Sequence, residues 1–275
     1  MSVVYQNNAR RKMQAGGLAL GFGVQHLRSM STPMLAAASG HDWLFIDCEH
    51  GAFSIQEATQ LCLAALPTGI TPILRVCADA LDEGTRALDN GAMGIVVPHV
   101  DTAKQARRIA DAFHYPPQGH RSWGGSPAIY GYQPPSPAEA QKALNAEILT
   151  VVMIESPEGV KNADAIAAID GVDVLLMGTS DLTAELGIAG QIGHPKVVDA
   201  YAAVIKACKK HGKFAGMGGV YDQENASRYI SMGAQFLLSG NDHAYLMAGA
   251  GARATFLRGL PKMAPAEPSK KGKKK

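Results

Sequence analysis

Along the chain a polar stretch with helical periodicity repeatedly ends at a glycine and gives way, within a few residues, to a short run rich in Val, Ile and Leu. The theme recurs in "AAASGHDWLFID", "ALDNGAMGIVVP", "AAIDGVDVLLMG", "KKHGKFAGMGG" and "ISMGAQFLLSG". Glycine just past a helix end is the usual left-handed cap, and a continuous apolar run of roughly four to eight residues suits a strand covered on both faces. The repeated unit is therefore helix, cap, buried strand. With "GLALGFGV", "TPILRV" and "ILTVVMIE" the pattern predicts eight strands, near residues 18–24, 43–47, 71–76, 93–97, 149–155, 172–177, 213–217 and 235–239. Helical patterns such as "SIQEATQLCLAAL", "DTAKQARRIADAF" and "HPKVVDAYAAVIKACKKHG" lie between them. Eight alternating units over this length favour an α/β fold of the (β/α)8 TIM-barrel type over a doubly wound sheet.

No linker interrupts the pattern, so one barrel domain over residues 1–262 is expected, including a C-terminal helical extension in "NDHAYLMAGAGARATFLRGL". That extra helix must find a surface for its apolar residues, under the barrel or on a neighbouring subunit. The longest connection, "HYPPQGHRSWGGSPAIYGYQPPSP", is long enough to be functional or disordered, and its aromatics predict an ordered loop over an active-site mouth. Residues 263–275 are expected to form a disordered basic tail, since "PSKKGKKK" carries the basic surplus of a chain whose net charge is only +2. The body of the chain thus suggests neither a nucleic-acid nor a membrane partner. Cys48, Cys62, Cys77 and Cys208 lack C-x-x-C spacing, which suits a reducing compartment without disulfides or a zinc cluster. The polar N-terminal stretch has no long apolar core, and no run of about 18 uncharged apolar residues occurs, so a cytoplasmic location is expected.

Barrel active sites lie at the C-terminal ends of strands. Just past each apolar run, the second gives Asp47, Glu49 and His50, the third Arg75, the fifth Glu155, and the sixth Gly178, Thr179, Ser180 and Asp181. Glu155 and Asp181 offer only hard oxygen, which selects Mg²⁺, Mn²⁺ or a related divalent ion and leaves open positions for water and substrate. Either acid could instead cap the adjoining helix. Arg75 could hold a carboxylate or an enolate oxygen, or form a salt bridge with Glu49 or Asp47. His50, three residues after Asp47, could be a general base oriented by that carboxylate, or merely hydrogen-bonded. No lysine falls at a strand end, which argues against an imine-forming aldolase. "GMGG" and "SGND" occupy the place where many barrels bind phosphate, or simply leave room for a ligand.

The segments "DWLFIDCEHGAFS", "PILRV", "VVPHVDTAKQARRIADAFHYPPQGHRS" and "VVMIESPEGVKNADAIAAIDGVDVLLMGTSDLTAELG" resemble the HpcH/HpaI family of class II pyruvate aldolases, from roughly residue 16 to 258. The resemblance implies a metal-dependent retro-aldol reaction on 4-hydroxy-2-oxo acids, giving pyruvate (or, from a further-hydroxylated substrate, hydroxypyruvate) and an aldehyde. It implies that Glu155 and Asp181 bind Mg²⁺, Mn²⁺ or Co²⁺, that Arg75 stabilises the enolate, and that His50, supported by Asp47, manages protons. Gly178 and the backbone amides of Ser180 and Asp181 would receive the substrate carboxylate, and the C-terminal helical region would build a hexamer as a trimer of dimers. Met153 stands where the oxoheptanedioate enzymes commonly have glutamine, and Thr179-Ser180 and "GMGGVYD" also depart from them on the side expected to face the aldehyde. The same enolate could alternatively serve oxaloacetate decarboxylation or an unusual acceptor, and a barrel used only as a binding scaffold is the reading from another class.

Overall fold

A computed structural model, describing residues 5–261, has the apolar runs as strands β1 (Ala19–Val24), β2 (Trp43–Asp47), β3 (Thr71–Arg75), β4 (Gly94–Val97), β5 (Leu149–Ile154), β6 (Val174–Gly178), β7 (Phe214–Gly218) and β8 (Ala234–Asn241). They pair in parallel in sequence order, and β8 returns to β1 to close the barrel. The expected (β/α)8 barrel is therefore the fold, and its strand bounds fall within a few residues of those predicted.

Side chains alternate across a strand, so each run divides between the barrel interior and the helical shell. Trp43, Phe45, Ile73, Val96, Leu149, Val151, Met153, Val174, Leu176 and Phe236 fill the interior. Their neighbours Leu44, Ile46, Leu74, Ile95, Val152, Ile154 and Leu175 face outward and pack with helix residues such as Leu61, Ile109 and Val204. Trp43 stacks on Phe236 at 3.9 Å between centroids, and a Cβ at Gly21 would stand 2.3 Å from its indole. Glycine is needed in β1 because the ring occupies that space.

The N-terminal end of the barrel is closed by a helix that the apolar pattern did not predict, Asn8–Gln14. Only Ala9 and Met13 of its residues are apolar, one turn apart, and both join the interior cluster. Asn7 caps it by accepting the Arg10 N–H, Ala9 N–H donates to Thr71 Oγ1 at 3.1 Å, and Arg11 grips Glu147 with two hydrogen bonds of 2.8 and 2.6 Å.

The long aromatic connection differs from expectation. Its Tyr115, Ala128, Ile129 and Tyr130 pack with Leu66, Met93 and Leu144, and Met93 immediately precedes β4. That is the end of the barrel opposite the mouth. The reason is direction: the segment comes after the helix Ala103–Phe113, and helix-to-strand connections in a barrel run at the N-terminal ends of the strands.

The chain divides into two compact units after Asp242. The second carries the helix Asp242–Arg258, which from His243 onward is exposed throughout, including Tyr245, Leu246, Met247, Phe256 and Leu257. The expected basic tail, 263–275, lies outside the described residues. No helix among those described is long and apolar enough to cross a membrane.

Candidate active site

The alternation that points Phe45, Ile73, Met153 and Leu176 into the barrel continues two residues further to Asp47, Arg75, Glu155 and Gly178. A buried apolar layer thus carries a polar layer on top of it. These four line a cavity of about 280 Å³ together with His50, Thr179, Ser180 and Asp181, over a floor of Phe45, Met153, Leu176 and Leu238. Of the strand-end residues named from the sequence, all but Glu49 therefore line one cavity at the C-terminal mouth.

Register explains the first pair. Asp47 lies opposite Arg75 across β2 and β3, and its carboxylate accepts from Arg75 Nε at 2.9 Å and from a terminal nitrogen at 2.6 Å. Arg75 also meets Glu49 at 3.0 Å and lies over the Phe45 ring, 4.9 Å from its centroid. The salt-bridge reading of Arg75 is correct for both acids, yet it does not exhaust the side chain. A guanidinium carries five N–H bonds: two are donated to Asp47 and one to Met153 Sδ at 3.9 Å. Two remain, with Glu49 facing the group as an ion-pair partner.

Burial alone would raise the Asp47 pKa, but the hydrogen bonds and charge of Arg75, with a further bond from Gln25, hold it below the ordinary aspartate value. Burial alone would lower that of Arg75, and Asp47 foremost, then Glu49 and Glu155, raise it instead. Both groups stay charged inside the barrel because each is the other's partner. Gln25, which donates to Asp47 at 2.9 Å, sits on a turn whose N–H groups at residues 25, 26 and 27 all donate to buried Asp242.

His50 stands at the rim with its side chain 62% exposed. Asp47 does reach it, but through the backbone: the His50 N–H donates to Asp47 Oδ1 at 3.2 Å. The imidazole looks to Glu49 instead, with Nε2 3.9 Å from Oε2. Spacing of three residues pointed to Asp47, but its oxygens accept from Arg75, Gln25 and the backbone N–H groups of Glu49 and His50, and the acid facing the imidazole is Glu49. Glu49, without a role in the sequence reading, is the carboxylate between Arg75, His50 and His99.

Glu155 is 3% exposed. It is not a helix cap: Ser156 caps the helix Pro157–Lys161 by accepting the Gly159 N–H. Its Oε2 accepts the His99 N–H at 2.9 Å, and among the described residues Oε1 has no hydrogen-bond partner. Oε1 lies over the bare Cα of Gly178, where a Cβ would be 2.3 Å away. Burial, reinforced by the Asp181 charge and only partly offset by His99, lifts the Glu155 pKa to about 7. Asp181 is no cap either. It is in the first turn of the helix Thr179–Glu185, whose N-cap Gly178 offers no side chain. The first-turn amides of that helix have no carbonyl four residues back within it and face the cavity end of the fold.

Two carboxylates with an unpartnered oxygen, one of them destabilised as an anion by burial, are a donor set suited to a hard divalent cation. Among the described residues no group of three or more His, Cys, Asp or Glu could hold an ion. The strand-end test missed two residues that it would have found if applied to every strand: Gln25 after β1 and His99 after β4.

The model of the HpcH/HpaI aldolase/citrate lyase family matches residues 27–248. The chain belongs to that family. Within it, 4-hydroxy-4-methyl-2-oxoglutarate aldolase of Hapsidospora irregularis is 37% identical, with 90% of this chain and 93% of the relative covered. Hydroxypyruvate/pyruvate aldolase of Cupriavidus necator is 34% identical over 86% and 89% of the two chains. Among solved structures, an HpcH/HpaI aldolase from Desulfitobacterium hafniense superposes with a TM-score of 0.86 at 31% identity, over 93% and 98%. The protein is an enzyme of the carbon–carbon lyase class, which removes the reading as a mere scaffold.

Proposed function

We propose that the protein is a divalent-metal-dependent class II aldolase that cleaves and forms 4-hydroxy-2-oxo acids through the enolate of pyruvate or hydroxypyruvate, with an aldehyde as the other product or reactant. The observation that carries this is the placing of a locked guanidinium, Arg75, and an acid pair, Glu155 and Asp181, on one cavity at the barrel mouth. Family membership supports the reaction class, and the donor chemistry of the pair supports the ion.

Glu155 and Asp181 would hold Mg²⁺, Mn²⁺ or Co²⁺, which when bound supplies a Lewis acid that draws electrons from the carbonyl carbon of a 2-oxo acid. The amides of Ser180 and Asp181, at a helix N-terminus beside Gly178, receive the substrate carboxylate. The remaining N–H bonds of Arg75 meet the keto oxygen, where negative charge grows as the enolate forms. Asp47 and Glu49 already hold the guanidinium in place, so little reorganisation is needed at that moment. His50 accepts the proton of the 4-hydroxyl as the bond between C3 and C4 breaks, its ring steadied by Glu49. The electron pair passes to C3, the aldehyde leaves, and protonation at C3 yields pyruvate.

The departures from the oxoheptanedioate pattern, Met153, Ser180, Gly219 and Tyr221, all line the cavity, and the loop carrying Gly219 and Tyr221 is the one expected to face the aldehyde. The compounds named for the two relatives, 4-hydroxy-4-methyl-2-oxoglutarate and hydroxypyruvate, are the first to assay, and after them a panel of aldehydes with pyruvate or hydroxypyruvate. Arg75→Lys and Asp181→Ala proteins of native fold should release pyruvate at least about 100-fold more slowly. Wild-type rates in both would remove the assignment, and oxaloacetate loss without aldol cleavage would replace it with a decarboxylase.

Self-association belongs to the same reading. The exposed apolar side chains of the helix Asp242–Arg258 support a homo-oligomer, a hexamer assembled as a trimer of dimers, in which a second copy covers them.

A further inference from the structure

β4 ends at Val97, and the chain leaves it through Pro98 into His99, whose φ is 54°. A bulky residue in the left-handed region is strained, and such a conformation persists where the surroundings hold it. Here the turn aims one residue at two carboxylates. The His99 N–H donates to Glu155 Oε2 at 2.9 Å, and Nδ1 lies 3.3 Å from the same oxygen. Across the ring, Nε2 lies 3.6 Å from Glu49 Oε1, while Glu49 Oε2 meets Arg75 at 3.0 Å. Glu155 is thus confined from both sides, by His99 at Oε2 and by the bare Cα of Gly178 at Oε1.

We propose that His99 is a positioning residue that fixes Glu155 with Oε1 free for a divalent cation and links that carboxylate, through Glu49, to Arg75. The inference rests on the metal-dependent reading above. It adds that the acid of the ion pair and the cation that holds the enolate are set by one left-handed turn, so that neither moves alone. His99 acts through Glu155 and Glu49, and it does not line the substrate cavity itself. Groups that orient metal-binding carboxylates in this way typically contribute about 10- to 100-fold to affinity or activity.

The test is calorimetric titration of the metal-free protein with Mn²⁺. His99→Gly suits the φ and keeps the backbone donor but removes the ring, so it should fold and melt much as the parent does. Its Kd for Mn²⁺ should rise about tenfold. His99→Asn tolerates the same backbone conformation and retains a side-chain donor, so its Kd should fall between those two. The absorption spectrum of added Co²⁺ should shift in the glycine variant as the carboxylate reorients. An unchanged Kd in His99→Gly, whatever its melting temperature, would reduce His99 to a turn residue and overturn the proposal. Wild-type protein that binds none of these ions would overturn both the proposal and the functional reading beneath it.

Discussion

Glu155 concentrates the tension in the site: an acid buried against a glycine, with its Oε1 lacking a hydrogen-bond partner among the described residues and a second acid nearby. Its pKa, lifted to about 7 mainly by burial, means that the folded, metal-free protein binds a proton more tightly than the unfolded chain does. The stabilisation from that proton is complete below the ordinary glutamate pKa and is lost as pH rises through the folded value. Metal-free protein in EDTA should therefore melt at progressively lower temperature as pH rises from about 4.5 to 7, apart from other groups. In Glu155→Gln this part of the slope should vanish, and near neutral pH the variant should melt above the parent while binding no ion. Scanning calorimetry across that range checks both points, and an unchanged slope would contradict the assignment of the raised pKa to Glu155. The unequal duties of Asp47, Glu49 and His50 were less legible. Their types and proximity were plain in "FIDCEHG", but which acid faces the imidazole depends on the register of β2 against β3, which gives Asp47 to Arg75.

At the scale of elements, period-two alternation made the site readable. Because Asp47, Arg75 and Glu155 share the inward parity of the barrel core, their positions just past the ends of apolar runs were enough to bring them together. His99 stands at a strand end like the others, but the left-handed backbone that aims it at two acids is signalled by no periodicity. Periodicity passed over the N-terminal helix, where two apolar residues among polar ones make too short a stripe to register, and the length and aromatics of the long connection suggested the wrong end of the barrel. Met13 is 2% exposed within the interior cluster, and Met13→Ala should destabilise the protein by about 2–5 kcal/mol. Urea unfolding monitored by circular dichroism measures this. A loss well under about 1 kcal/mol would mean that the helix is a loose appendage and not the floor of the barrel.

For the whole molecule, the barrel unit buries an extensive apolar core and exposes a few large apolar side chains such as Met34 and Leu35, whereas the C-terminal helix carries Leu246, Met247, Phe256 and Leu257 about half exposed or more. Light scattering at micromolar concentration should report a multiple of the chain mass, and a Leu246→Asp, Phe256→Asp double variant should report a smaller species. A wild-type monomer would contradict the expected assembly. Fold and assembly, however, serve a chemical claim, that an ion on Glu155 and Asp181 works with Arg75 on a 2-oxo acid. The most direct test is release of pyruvate, from whichever 4-hydroxy-2-oxo acid the protein cleaves, by EDTA-treated protein before and after addition of Mg²⁺, Mn²⁺ or Co²⁺. The account predicts negligible release without an ion and full recovery with one, whereas undiminished release in EDTA would contradict it.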